Sequence, residues 1–375
     1  MASTQRSPAE LDASKLRITL AQELKPIPPS NDVHFGQNIT DHMAFASYDP
    51  IEGWSAPEIK PYGPLTLYPA SSCFQYATSA FEGMKAYIGP DGEPRLFRPA
   101  KNLARFLRSA SRLSLPLFAP DELLNIMKTL LRVERRWIPD QRGHSLYLRP
   151  MIIGTRHNSA LLWIMCSPIG QYPSIGARPL SLLAVNDAVR AWPGGTGEYK
   201  ISGNYGPTIG PMQVAHQQGY DQCLWLLGDR VTEAGVMNIF VVLKRDDDSV
   251  DLLTPSLDGT ILPGITRESV LDLAAAHPSR TVLPGLSKSL HIYAGERDIT
   301  MGGLQTWLAE ECLLEVLVVG TAVVIQPVGR IGYKGVDLIL PVYDGGLGPV
   351  GKALHQRITD IQYGVFEWDG WSVRC

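Results

Sequence analysis

The chain has 375 residues, 45% hydrophobic and 19% charged, with a net charge of −3 and an isoelectric point near 6.3. This is the composition of a folded globular chain rather than a disordered one, and the length suits two domains. No basic stripe invites nucleic acid or an anionic membrane surface, and no apolar run reaches the roughly eighteen residues of a membrane-spanning helix.

The five cysteines, Cys73, Cys166, Cys223, Cys312 and Cys375, lie far apart and form no CxxC pair. That argues against zinc ribbons and dithiol redox motifs and fits a reducing compartment. The N-terminal MASTQRSPAELDASKLRITL lacks an apolar signal core, and its acidic residues argue against a transit peptide, so a cytoplasmic location is expected.

In chain order, residues 1–32 are polar and proline-bearing and read as an arm. Residues 33–168 read as a small α+β domain. In it, MKAYIGPDGEPRLFR predicts two short strands around a turn. LARFLRSASRLSL and DELLNIMKTLLRVERRW repeat apolar residues at helical spacing, and SLYLRPMIIG and ALLWIMCSPI predict strands. The proline- and glycine-bearing stretch 169–180 is the interdomain loop. From 181 to 375, the strands LSLLAV, QCLWLLG, NIFVVLK, VDLLTP, LLEVLVVG and VDLILPV alternate with the helical stretches PMQVAHQQG, TRESVLDLAAAH and ALHQRITDIQ. The expected fold class is α/β, with a larger second domain.

One motif misleads. GLGPVGKA, at 346–353, matches both GxGxxG and GxxxxGK. The position for a magnesium-binding hydroxyl is Ala353, Pro349 interrupts the loop, and too little chain follows to complete a nucleotide fold. A turn starting a C-terminal helix is the better reading. The histidines form no HExxH and no GxSxG is present, so neither a catalytic zinc nor a serine elbow is expected.

A different constellation carries chemistry. Lys200 stands in the turn-like EYKISGNYGPT, followed by VTEAGVMNIFVV with Glu233 beside an apolar strand. A carboxylate leaving water needs a partner. That partner is either an arginine or backbone amide, as at many strand ends, or the protonated ring nitrogen of a cofactor. The second reading requires an amine-bearing lysine and a phosphate site. GTILPGITRE offers a Pro-Gly turn feeding a helix whose first amides, Ile265 and Thr266, would face an anion. Gly320-Thr321-Ala322 offers a second small turn with a hydroxyl, and Arg105 a guanidinium.

At this point the chain resembles the branched-chain amino acid aminotransferases, class IV pyridoxal-phosphate enzymes of fold type IV. The resemblance runs from Phe35 to Tyr363 through FGQNITDHM, LYPASS, AFEGMKAY, LFRPAKNLARFLRSASRL, SLYLRP, RAWPGGTGEYKISGNYGPT, LWLLGDRVTEAGVMNIFVV, GTILPGITRESVLDLA, VVGTA and DIQYG. It implies a small α+β domain and a larger domain with a mixed, barrel-like sheet and helices. It implies pyridoxal 5'-phosphate as cofactor, with Lys200 as the Schiff-base lysine and proton carrier, Tyr205 at the phenolic oxygen and Glu233 at the pyridine nitrogen. Arg105, Ile265, Thr266 and Thr321 match phosphate contacts, and Leu262 packs on the ring. Phe35, Tyr76, Phe81, Tyr147, Arg149 and Ala322 match the substrate pocket, and Tyr172 a tyrosine of the interdomain loop. Implied partners are small amino acids, 2-oxo acids and a second copy of the chain.

Three positions depart from the family pattern. Val236 replaces a threonine frequent after the Glu-x-Gly segment, and Val323 and Gln326 stand where mammalian members carry a redox CxxC. A specialised paralogue for a non-standard amino acid, a D-amino acid aminotransferase or aminodeoxychorismate lyase on the same fold, and an inactive homologue are the competing readings.

Overall fold

The computed structural model describes residues 8–29, 32–33, 36–170, 178–280 and 282–375. The chain divides into two compact units: Met1–Gln171 with Tyr199–Gly203 and Ile361–Cys375, and Tyr172–Glu198 with Asn204–Asp360. The first unit therefore takes in two segments that linear reading assigns to the second domain. Strand pairing is the reason. Ser372–Arg374 pairs antiparallel with Pro94–Phe97, and Ile201 bridges Ala80. Part of the N-terminal arm is also built in. Leu11 is buried in the first unit's core, and Arg17–Ile18 pairs parallel with Glu58–Pro61. A two-residue strand is too short to show a periodicity.

The first unit carries a ten-stranded sheet. Its main path runs Arg17–Ile18, Glu58–Pro61, His42–Asp49, Ala160–Ile169, Ser145–Gly154, Met84–Ile88, Pro94–Phe97, Ser372–Arg374. The short Ser79–Phe81 pairs beside Ser145–Gly154. Helices Pro99–Arg112 and Pro120–Val133 each start on a proline, which the first helical turn tolerates because its N–H has no intrahelical partner. They bury Leu103, Phe106, Leu123, Met127 and Leu130 against Leu146, Leu148 and Ile152 of the sheet. Side chains alternate along a strand, so Tyr147 and Arg149 occupy the opposite face from Leu146 and Leu148.

The second unit carries a nine-stranded mixed sheet, with a main path Arg230–Ala234, Gln222–Leu227, Leu180–Val185, Val324–Tyr333, Leu313–Gly320, Asn238–Lys244, Val250–Thr254, Ile292–Glu296. The long strand Val324–Tyr333 changes partner midway. Val324 to Pro327 pair with Leu313–Gly320, and Val328 onward with Leu180–Val185, across a register shift at Leu180/Ser181. Such a hand-over with an irregularity curls a sheet toward a barrel. Helix Ile265–Ala275 lies against strands Ile292–Glu296 and Leu313–Gly320.

Candidate active site

In the first unit, Lys200 is held by its backbone on both sides. Its amide donates to Ser109 Oγ at 2.8 Å, and its carbonyl accepts from the Phe81 amide at 3.0 Å. Ser109 in turn donates to the Arg105 carbonyl on the same helix, and Ser202 Oγ meets Ser79 Oγ at 2.8 Å. The segment is thus an added strand pairing, not a free turn. The Lys200 side chain is half-buried, with Nζ 4.8 Å from the centre of the Phe81 ring. In the second unit, paired hydrogen bonds of 2.7 Å between Thr196 and Asn204 close the neck of the loop that carries it.

Next to Phe81 is Glu82, fully buried and not singled out by the sequence reading. Arg105 Nε donates to Glu82 Oε1 at 2.7 Å and Nη2 to Oε2 at 2.9 Å, a fork-on-carboxylate pair, while Asn102 Nδ2 donates to Oε2 at 2.8 Å. Burial pushes the Glu82 carboxyl up; the Arg105 charge and bonds, with Lys200 and Asn102, outweigh it and hold the group below its ordinary range. The pair could be found in sequence only by knowing that positions 82 and 105 meet.

The other face of the same sheet gathers three predicted pocket residues. Arg149 Nη2 donates to the Tyr147 hydroxyl at 2.9 Å, and the guanidinium lies 4.7 Å from the Phe81 ring and 5.0 Å from the Tyr147 ring. Gly83 has no side chain because the Tyr147 hydroxyl stands 1.8 Å from where its Cβ would be. Lys85, opposite Tyr147 in register, is also buried, and burial lowers its amine to about 8. Tyr76 is placed differently, 78% exposed on helix Ser72–Tyr76. Phe35 and Tyr172 lie outside the described residues.

In the second unit, Glu233 is 2% exposed on Arg230–Ala234, paired across from Trp225. Its Oε2 meets Arg190 Nη1 at 2.6 Å, and Oε1 accepts from Asn238 Nδ2 at 3.2 Å and from the Leu262 amide at 3.3 Å. Both kinds of protein partner that the sequence leaves open, an arginine and a backbone amide, are therefore present. Arg190 was not singled out by the sequence reading; its Nη1 also reaches the Thr260 carbonyl at 3.3 Å. Leu262 is buried. Ile265 and Thr266, both buried, are the first two residues of their helix, and Gly264 at its N-cap supplies no side-chain cap.

Thr321 and Ala322 sit half-buried in the turn between Leu313–Gly320 and Val324–Tyr333. That turn ends on Val324 with φ 61°, a left-handed conformation costly for a β-branched residue and typical of constrained sites. Tyr205 is half-buried, and its carbonyl accepts from Thr208 Oγ1 at 2.7 Å. Val236 is 63% exposed on the turn after Glu233.

The phosphate-loop lookalike is filled from within. Glu315 accepts from the Val350 amide at 2.8 Å and the Gly351 amide at 3.1 Å, so a protein carboxylate occupies the start of helix Pro349–Gln362. A Cβ on Gly348 or Gly351 would collide with that carboxylate, at 2.4 and 2.7 Å.

These residues fit pyridoxal phosphate by their chemistry. In the second unit, the buried Glu233 carboxylate suits a ring N–H, and the start of helix Ile265–Ala275, whose N-cap Gly264 makes no side-chain cap bond, suits a phosphate. In the first unit, taken by itself, Lys200 offers an amine and Arg105 a guanidinium already paired with Glu82. Among the described residues no His, Cys, Asp and Glu cluster could hold a metal ion.

Comparison with known proteins places the chain in a family. Residues 79–331 match the family model of amino-transferase class IV. The mitochondrial branched-chain-amino-acid aminotransferase of Schizosaccharomyces pombe (strain 972 / ATCC 24843) is 42% identical over 376 residues, covering 98% of this chain and 86% of that one. The cytosolic branched-chain-amino-acid aminotransferase of Saccharomyces cerevisiae (strain ATCC 204508 / S288c) is 40% identical over 377 residues, 97% of each chain. The crystal structure of the branched-chain aminotransferase from the thermophilic archaeon Thermoproteus uzoniensis, with norvaline, shares the fold, with a TM-score of 0.66 at 23% identity over 89% of this chain and 99% of that one. A crystal structure of a further branched-chain amino acid aminotransferase, solved with pyridoxamine 5'-phosphate, has a TM-score of 0.69 at 24% identity over 90% of this chain and 99% of that one. The chain belongs to the class IV aminotransferases and, within them, to the branched-chain-amino-acid aminotransferase family.

Proposed function

We propose that the protein is a pyridoxal-phosphate-dependent transaminase that moves the amino group of L-leucine, L-isoleucine or L-valine to 2-oxoglutarate, and back, by a ping-pong cycle. The observation that carries this reading is the double backbone clamp on Lys200, through Phe81 and Ser109, which presents its amine beside the Phe81 ring. When bound, the cofactor supplies an electron sink for the substrate Cα carbanion. Glu233 would accept from the protonated ring nitrogen, and Arg190 faces the same carboxylate with a positive charge. In this reading Arg105, Ile265, Thr266 and Thr321 would hold the phosphate, Leu262 would pack on the ring and Tyr205 would donate to the phenolic oxygen. Lys200 Nζ takes the substrate Cα proton and then returns it.

The Phe81, Tyr147 and Arg149 cluster supports the two-substrate specificity. Its aromatic faces suit a branched apolar side chain, and its guanidinium and hydroxyl suit the side-chain carboxylate of glutamate. Phe35, Tyr172 and Ala322 complete the pocket in this reading. One methylene is worth only about 1–3 kcal/mol in an apolar pocket, so the three branched donors overlap.

The protein is read as a cytoplasmic homodimer. Tyr68, Phe74 and Tyr76, exposed by 60%, 62% and 78%, form an apolar stretch better suited to a subunit contact than to water. A panel of amino donors with 2-oxoglutarate tests the function. Turnover of leucine, isoleucine and valine is expected; turnover of D-alanine, aminodeoxychorismate or aromatic donors in their place overturns it.

A further inference from the structure

We infer that Asn238 is a positioning residue that couples Glu233 to the start of helix Ile265–Ala275, so that the two ends of the proposed cofactor site hold a fixed separation. The inference rests on the proposed function, because it concerns the groups assigned there to the ring nitrogen and to the phosphate.

Asn238 is buried and opens the strand Asn238–Lys244, where it lies opposite Val319 in the antiparallel pair with Leu313–Gly320. Its Cα is therefore set by the middle of the sheet. Nδ2 donates to Glu233 Oε1 at 3.2 Å and to the Leu262 carbonyl at 3.0 Å. Those two bonds use both amide hydrogens. The Leu262 amide donates back to the same Glu233 oxygen at 3.3 Å, closing a ring through Glu233, Asn238 and Leu262.

The carboxamide oxygen does a different job. Oδ1 lies where residue 264 would carry a side chain, 2.0 Å from a Cβ built on Gly264. Gly264 is the N-cap of the helix that begins Ile265, Thr266. One planar group thus bonds the carboxylate, bonds the turn and fills the space at the helix start. The orientation of the amide follows from its partners, since the flipped group would aim an oxygen at two acceptors. Aspartate has the same shape but no hydrogen to give and would face the Glu233 carboxylate. Serine and alanine are too short to span the gap.

This geometry predicts non-additivity. A Cβ at position 264 displaces the Asn238 carboxamide and so disturbs Glu233 as well. With the carboxamide removed, the overlap at 2.0 Å is gone and the nearest remaining atom is Arg267 Cβ at 3.3 Å.

The experiment uses the full chain reconstituted with pyridoxal phosphate. It compares wild type, Asn238→Ala, Gly264→Ala and the double variant by cofactor Kd and by the pH midpoint of the bound cofactor's visible band. Each single change is expected to weaken cofactor binding about tenfold, the scale of two lost hydrogen bonds. The double variant should be no worse than Asn238→Ala alone, and the pH midpoint should move in Asn238→Ala. Fold-changes that multiply in the double variant, or a wild-type Kd and pH midpoint in Asn238→Ala, overturn the inference. If Asn238→Ala does not fold, Asn238→Asp keeps the shape and removes both donors, and a wild-type Kd in it is equally fatal. A wild-type protein that binds no pyridoxal phosphate sinks the functional reading and this inference together. A wild-type protein with a visible band and multiplying fold-changes sinks only the inference.

Discussion

The Phe81 amide donates to the Lys200 carbonyl at 3.0 Å, and the residue just past that strand is Glu82, the buried partner of Arg105. One backbone hydrogen bond therefore registers Lys200 against a buried ion pair. The lysine's position is inherited from the sheet of the first unit, through Ser79–Phe81 and its pairing with Ser145–Gly154.

Lys200→Ala is expected to abolish the visible cofactor band and to reduce leucine:2-oxoglutarate transamination by about a thousandfold or more, within the range for loss of a general acid–base group. Absorbance and a coupled glutamate assay read both. A variant retaining a lysine-linked absorbance would show that another amine is the anchor.

Glu82→Gln should keep the packing but leave the Arg105 charge poorly matched in a buried place. A loss of about 3 kcal/mol in urea denaturation is expected, with weaker cofactor binding. The Glu82 carboxyl is held below its ordinary value of 4.5, so its contribution is present above that pH and lost as pH falls below it. Wild type should lose its advantage over Glu82→Gln on acidification, and a gap that stays constant with pH would contradict this assignment.

Arg149→Met is expected to raise the KM for glutamate and 2-oxoglutarate by about a hundredfold, the scale of a lost charge-assisted bond, while leucine changes only a few-fold. Steady-state kinetics with each donor separates the two. Equal losses for both would remove Arg149 from side-chain discrimination.

Asp221 ties two parallel strands of the second unit. Its Oδ2 accepts from the Ser181 amide and Ser181 Oγ at 2.8 Å each, and Arg178 spans both carboxylate oxygens at 2.9 and 2.5 Å. Burial opposes ionisation, but the bonds from Arg178 and Ser181 prevail and lower the carboxyl to about 2. A depressed carboxylate stabilises above its ordinary value of 3.8, and that contribution fades as pH falls toward about 2. Asp221→Asn should therefore lower the thermal midpoint at neutral pH and converge on wild type as pH falls through about 2. Melting curves across that range check it.

Much of the architecture was legible locally. The helical spacing in LARFLRSASRLSL and DELLNIMKTLLRVERRW corresponds to Pro99–Arg112 and Pro120–Val133, and the apolar runs SLYLRPMIIG and ALLWIMCSPI correspond to Ser145–Gly154 and Ala160–Ile169. Helix and strand periods are short-range properties, carried by neighbours a few residues apart. The candidate lysine, glutamate and helix start were legible too, because each sits in a distinctive local context.

Short-range chemistry along the chain thus specifies an inventory: the elements, the residue types the chemistry needs, and the family resemblance. The tertiary structure decided the partnerships. Glu82 meets Arg105, Glu233 meets Arg190, Glu315 fills the start of helix Pro349–Gln362, and Tyr199–Gly203 joins the first unit. None of these pairs is close in sequence, and a buried carboxylate takes whichever donor the fold brings within reach. Desolvation makes such a partner necessary; only the packing of strands and helices selects which one it is.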